Sequence, residues 1–272
     1  MTDDPSHPQK PTTRIALGVS YSGTAYQGWQ SQLSGLTVQD KLEAALKRFT
    51  THKVSTLCAG RTDAGVHGLM QVVHFDTPLK RDINAWVRGV NSYLPSDIAI
   101  QWARAMPTSF HCRASAIARR YVYCLLESPV RPSVEAGRVG WTFGTLDLQA
   151  MQQAASHLLG EHDFTSFRAS SCQALSPVKT MIRIAISQRG PYWRFEFEAN
   201  AFLHHMIRNL MGSLLVVGQG KKPPDWMRDV RDARDRDAAA PTFSPDGLYF
   251  AGPVYPEHWG LPTQTAAYDW LP

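Results

Sequence analysis

The sequence predicts an α+β fold built from two βαββαβ halves, on three observations. Short runs with period-two alternation mark half-buried strands, as in Trp193-Arg194-Phe195-Glu196-Phe197-Glu198. Longer stretches with apolar residues three and four apart mark amphipathic helices. The two kinds of segment follow one another as strand-helix-strand-strand-helix-strand, and that order occurs twice.

In the first half, Ile15 to Tyr21 is a strand, followed by a loop rich in turn residues from Ser22 to Gln30. Thr37 with Asp40 three residues on caps a helix whose Val38, Leu42, Leu46 and Phe49 share a face. Strands Val54 to Cys58 and Leu69 to Phe75 flank a polar loop. A second helix turns Ile83, Trp86, Val87, Val90 and Leu94 inward and stops before Pro95, and Ile98 to Ala103 closes the half.

The second half begins with the strand Arg120 to Leu126. A helix near 147–159 turns Leu148, Met151, Ala155 and Leu158 inward, with Gly160 placed to end it. Met181 to Ser187 and Trp193 to Glu198 are strands joined around Gly190-Pro191, and a long helix runs from Phe202 to about Val217. The mixed charges of Arg228 to Asp237 read as a short solvated helix, and Leu248 to Ala251 is the last strand.

This is the element order of ferredoxin-like domains and of the RNA-recognition motif. No repeat of residues accompanies it. Two such halves, 14–112 and 113–272, join into one broad, mostly antiparallel sheet with helices on one side and a cleft on the other. Residues 1–13, polar and carrying Pro5, Pro8 and Pro11, read as a disordered tail with no signal peptide.

Of the 272 residues, 43% are apolar, which suits a soluble globule. The net charge is +5, and the 28 basic residues are 20 Arg and 8 Lys. Guanidinium groups fork onto phosphate and stack on bases, so the bias points toward nucleic acid. Basic proteins that bind no nucleic acid reach the same charge. Cys58, Cys112, Cys124 and Cys172 show no C-x-x-C spacing and read as reduced thiols of a cytosolic protein. No apolar run reaches the ~20 residues of a membrane span. No dinucleotide fingerprint, P-loop or metal cluster calls for a cofactor.

The polar loop Gly60-Arg61-Thr62-Asp63-Ala64-Gly65-Val66-His67-Gly68 is the densest group of reactive side chains. Its glycines and Asp make a tight turn. Arg61, two residues from Asp63, is placed to hold that carboxylate ionised, which suits a carboxylate nucleophile. An Arg-Asp pair that merely pins a hairpin has the same residues. Tyr121 and Tyr123 share a strand face after Arg119, as core packing or as a base-stacking platform. On the long helix Arg208 lies one turn from His204, whereas His204 and His205 diverge by about 100° and do not easily share a metal. Asp163, between a helix end and two Phe residues, reads as a cap or packing residue.

The nine contiguous residues from Gly60 to Gly68 resemble the signature of pseudouridine synthases of the bacterial tRNA pseudouridine synthase A type. Further matches run from Tyr21 to Tyr255, including Arg119-Arg120-Tyr121-Val122-Tyr123 and Gly160 to Arg168. The resemblance implies a cytoplasmic enzyme that isomerises uridine to pseudouridine at positions 38–40 of the tRNA anticodon stem-loop, as a homodimer whose two clefts share one RNA. It implies no cofactor and no other protein partner. It implies Asp63 as the catalytic carboxylate, Tyr121 facing the target base, Arg61 at the substrate, and Arg208 near Asp63 as its ion-pair partner or as a contact to the substrate's phosphate. Where the family usually has Tyr-Asp-Gly, this chain has Tyr21-Ser22-Gly23, so the ordering of that loop is open. A non-catalytic RNA-binding module, and a nucleoside or glycoside hydrolase using a carboxylate at C1′, are the rival readings.

Overall fold

The computed structural model describes residues 12–262, so the tail expected over 1–13 lies almost wholly outside the described residues; Thr13 itself opens the first strand. The first half comprises β1 (Thr13–Tyr21), α1 (Val38–Thr50), β2 (Leu57–Cys58), β3 (His67–Thr77), α2 (Ile83–Asn91) and β4 (Ile98–Met106). The second comprises β5 (Ala118–Glu127), β6 (Gly140–Thr142), α3 (Leu148–Ser156), β7 (Gly160–Asp163), β8 (Val178–Arg189), β9 (Tyr192–Ala199), α4 (Met206–Gly218), α5 (Trp226–Ala233) and β10 (Leu248–Val254).

Local chemistry explains the helix ends. The Thr37 hydroxyl accepts the Asp40 N–H at 3.2 Å and donates to the Asp40 carboxylate at 2.6 Å, which satisfies one orphan donor of α1. α2 ends at Asn91, earlier than Pro95 requires, because the Asn91 amide bonds both backbone groups of Ile100 and ties the helix to β4. α3 likewise stops at Ser156, and Gly160, at φ 96°, starts β7 instead of ending the helix. α4 begins only at Met206, four residues after the predicted start. α5 is not wholly solvated, since it buries Met227 and Val230.

The ten strands among the described residues form one sheet, in the order β4-β1-β3-β10-β5-β9-β8-β7, with β2 on β3 and β6 on β5. Pairing is antiparallel except for β10 with β3 and β5 with β6. The last strand in sequence therefore lies at the middle, joining the halves through Tyr249–His67 and Phe250–Gly68.

Register fixes which face carries what, because directly paired residues project to the same side. Tyr21 pairs with Gly68, Gly68 with Phe250, Phe250 with Tyr121 and Tyr121 with Phe197. Tyr21 belongs to the core under α1 and α2, whereas Phe250, Tyr121 and Phe197 belong to the core under α3, α4 and α5. Both helical groups thus cover one face. The cleft lies on that same face, in the gap between them, and not on the opposite side as expected. The opposite face is closed by apolar clusters in which Ala16, Val72, Phe110 and Cys112 meet Tyr255 and Trp259, and Leu69, Val122 and Cys124 meet Tyr249.

Gly68 marks the tightest point of the seam. A Cβ there would sit 2.3 Å from the Tyr21 ring, whose hydroxyl is held by the Thr62 hydroxyl at 2.8 Å and cannot swing aside. Gly68→Ala is expected to lower stability by roughly 1–3 kcal/mol, the usual cost of overpacking, read as a drop in the urea unfolding midpoint.

Candidate active site

The loop between β2 and β3 is held at its base by the Gln71 amide, which donates to the Gly60 carbonyl at 2.5 Å and accepts its N–H at 3.3 Å. Thr62 turns inward: it is buried, its hydroxyl meets Tyr21, and its carbonyl accepts the Trp29 N–H at 3.0 Å. With Thr62 inward, its neighbours Arg61 and Asp63 face out into the cleft. Gly65, at φ 80°, completes the turn and donates its N–H to Tyr26.

His67 is a structural member of this loop. Its Nδ1 accepts the Gly23 N–H at 3.1 Å, so Nε2 carries the proton and donates to the Gly137 carbonyl at 2.7 Å. The ring stacks on Tyr249 at 4.6 Å, and burial lowers its pKa, keeping it neutral. Here the structure also answers for Ser22. The Ser22 N–H donates to the Asp97 carbonyl, the Asp97 carboxylate accepts the Tyr26 hydroxyl at 2.6 Å, and the next residue is held by His67. The loop is anchored without a carboxylate at position 22.

Across the cleft stands the start of α4. Residues 202–205 are not helical, and His205 adopts φ 61°, ψ 4°. The divergence expected of two helical neighbours therefore does not apply. Both imidazoles turn to one carboxylate, His204 Nε2 at 3.3 Å from Asp63 Oδ1 and His205 Nε2 at 3.5 Å from Oδ2. Arg208 Nη1 lies 3.5 Å from the same Oδ2. Arg208 is aimed there by its own Nε, which donates to the Phe243 carbonyl at 2.8 Å.

Arg61 does not hold Asp63. Among the described residues it makes no ion pair with that carboxylate, and it lines the cleft exposed to solvent. The cation expected two residues away in sequence is supplied by Arg208 from the other half. Tyr121, nearly buried, packs edge-on against Phe202 at 5.1 Å and against Phe250 at 4.9 Å. Its hydroxyl has no hydrogen-bond partner among the described residues and lines the cleft; burial first, and then the charges of Tyr21 and Asp63, raise its pKa. Tyr123 is fully buried and donates to the Ser244 carbonyl, so it belongs to the core. Asp163 is away from the cleft and accepts from the Thr165 N–H and hydroxyl, a cap on the 3-10 turn Thr165–Phe167.

These groups line a cavity of about 1130 Å³. Among the described residues its walls carry four arginines, Arg61, Arg113, Arg119 and Arg208, and a single carboxylate, Asp63. Arg119 is committed to the carbonyls of Arg113, Ala116 and Asn200, whereas Arg61 makes no hydrogen bond or ion pair among the described residues. The sequence reading missed Arg113, Gln27, Gln30 and both histidines as wall residues. Only the histidines carried a signal, their position one turn before Arg208.

Two groups offer metal-type ligand atoms within 4.8 Å of one another. In the first, Asp63 with His204 and His205, the Arg208 guanidinium beside Oδ2 opposes a cation. In the second, the donors are already engaged: His74 Nδ1 accepts the Cys112 N–H, the Cys112 thiol donates to Leu57, and His111 Nδ1 accepts two backbone N–H groups. Burial pushes the Cys112 thiol up to about 12 and His74 down to about 4.

A family model described as tRNA pseudouridine synthase matches residues 18–113 and 154–256. TRNA pseudouridine synthase A of Polaromonas naphthalenivorans (strain CJ2) is 73% identical over 263 residues, covering 95% of this chain and all of the relative. The protein of the same name from Paracidovorax citrulli (strain AAC00-1) is 69% identical over 277 residues, with the same coverage. Among solved structures, a Cbf5-Nop10-Gar1 complex overlaps 83% of this chain and 60% of that chain at 13% identity and a TM-score of 0.34, too loosely to bear on how the halves are built.

Asn209, fully buried beside Arg208, donates to the Phe167 carbonyl and accepts from Thr242 and Arg236. It clamps the segment that carries Phe243 onto α4. Asn209→Ala is expected to cost about 2–3 kcal/mol in urea unfolding, since it strands buried polar partners.

Proposed function

The chain belongs to the tRNA pseudouridine synthase family, and from that premise we propose that Asp63 is its catalytic carboxylate, acting on uridines 38–40 of the tRNA anticodon arm. The protein is an isomerase that forms pseudouridine in tRNA. The observation that carries the site assignment is that Asp63 is, among the described residues, the one carboxylate in the wall of a cavity otherwise rich in arginine.

The reaction breaks the bond from uracil N1 to ribose C1′, turns the base and joins C5 to C1′. Positive character develops at C1′, and a nearby carboxylate stabilises or captures it. Arg208 and the two imidazoles hold the Asp63 carboxylate in the cleft, facing the wall formed by Tyr121. The target uridine leaves its stack to enter, at a cost of a few kcal/mol. Stacking on an aromatic such as Tyr121 returns roughly 1–3 kcal/mol, and Arg61, without a hydrogen-bond or ion-pair partner among the described residues, is suited to a phosphate. Net redox change is zero, so the chemistry calls for no redox cofactor. Shape-based contact with the backbone accounts for several adjacent target positions.

We read the two halves as ferredoxin-like units. The sheet supports this: β4-β1-β3 with β2 on β3, and β10-β5-β9-β8, place the first, second, third and fourth strands of each half in the same order. A homodimer whose two clefts share one tRNA, working in the cytoplasm, completes the reading.

With tRNA tritiated at C5 of uridine, wild-type protein is expected to release tritium to water. Asp63→Asn should release it at least 10⁴-fold more slowly while keeping tRNA affinity, because the residue acts on the chemical step and not on binding. Normal release by that variant would remove Asp63 from the mechanism; free uracil as product would instead mark a hydrolase. In the same assay Tyr121→Phe should lower kcat more than it weakens binding. Arg61→Ala should raise KM with kcat little changed, and Arg208→Ala should harm both.

A further inference from the structure

Consecutive residues diverge on a helix and take opposite faces of a strand, so two adjacent histidines meeting one carboxylate need a special backbone. His205 supplies it. Three non-glycine residues have positive φ among those described: Thr51, Arg234 and His205. The first two are ordinary left-handed caps at the ends of α1 and α5. His205 instead precedes a helix, and its side chain makes no capping bond; it faces Asp63.

The unusual backbone is held from several sides. The His204 carbonyl accepts the Ala169 N–H at 3.0 Å, the His204 N–H reaches Cys172 Sγ, and Ser171 Oγ meets His204 Nδ1 at 3.1 Å. The His205 carbonyl accepts the Asn209 N–H at 2.9 Å. Strain over-determined in this way marks a functional position. What it achieves is one imidazole at each oxygen of Asp63, at distances longer than the 2.7–2.9 Å of a charge-assisted hydrogen bond.

We propose that His205 is a positioning residue for Asp63, opposite His204 at the other oxygen: while neutral it helps fix the plane of the carboxylate and leaves it free to react, and once protonated it closes on the carboxylate as an ion pair and withdraws it. This rests on the reading of Asp63 as the catalytic carboxylate. The groups facing His205 are Asp63 from the loop, His204 beside it, Arg208 on α4 and Arg236 from the turn Arg236–Ala238. Burial lowers the His205 pKa, Asp63 opposes that, and His204, Arg208 and Arg236 reinforce it. The sign follows: His205 is neutral at pH 7 and gains its proton only below the ordinary imidazole value of about 6.5, so kcat falls on the acid side.

The test measures kcat and KM for tritium release from tRNA between pH 5 and 8.5, for wild type, His205→Asn, His205→Gly and Asp63→Asn. Asn tolerates the left-handed region better than other non-glycine residues, and Gly relieves it altogether, so both variants keep the chain path. Expected are kcat lower by about 10–10²-fold at pH 7.5 in both, KM within about twofold, and an acid-side fall in kcat moved to lower pH. The His205→Gly unfolding midpoint should be no lower than wild type, which separates the loss from misfolding. Wild-type kcat in either variant, a change confined to KM, or a reduced kcat whose acid-side fall stays in place would each overturn the proposal. An active Asp63→Asn would overturn the underlying reading instead; an inactive one with an unmoved acid limb in His205→Asn overturns the present proposal alone.

Discussion

The short parallel pairing of β10 with β3 is the constraint on which the site depends. Two residue pairs, Tyr249–His67 and Phe250–Gly68, join the first half of the sheet to the second. Through them Phe250 is set beside Gly60, at the root of the Asp63 loop, and against Tyr121 on the other side. Asp63 comes from the first half, and its three close cationic or imidazole neighbours come from the second. Neither half carries the constellation alone. His67 reinforces the seam by stacking on Tyr249 while tying the first loop to residue 137.

The electrostatics of the cleft follow from that division. The Asp63 carboxylate is met at both oxygens by groups of the second half, and its side chain keeps about one-fifth of its exposure to the cleft. Arg208 is fixed by Phe243, whose segment is fixed by Asn209, so the orientation of one guanidinium rests on a buried amide network behind it. Arg61 has no such backing, which leaves it able to follow a flexible polyanion. One wall of the cleft is thus rigid and the opposite rim adaptable.

Much of the fold was legible in the sequence because it rests on local rules. The Thr37–Asp40 cap, the alternation of β9 and the apolar stripe of α1 are decided by residues close in the chain. β6 and β7 escaped notice because three or four residues give too short a run for a period. The start of α4 was misplaced because Phe202, Met206 and Leu210 keep helical spacing although Phe202 precedes the helix; all three pack into one core, and spacing alone does not separate the cases. Asp63 stood out by residue type, and the family resemblance set Arg208 near it, where the structure has it. That Arg61 stands away from Asp63 was not legible, because it depends on Thr62 turning inward to Tyr21, a contact between distant segments. The side of the sheet that holds the cleft was beyond the alternation too, since a strand pattern tells inside from outside but not which cover lies over each face.

The central position of β10 has a consequence for how the enzyme comes into being. The chain is made from its N-terminus, so the loop bearing Asp63 exists long before the strand that completes the seam. β3 and β5 each lack one neighbour until β10 has been synthesised. A chain that stops before β10 therefore holds Asp63 in one half and Arg208 with the two histidines in the other, without the strand that joins them.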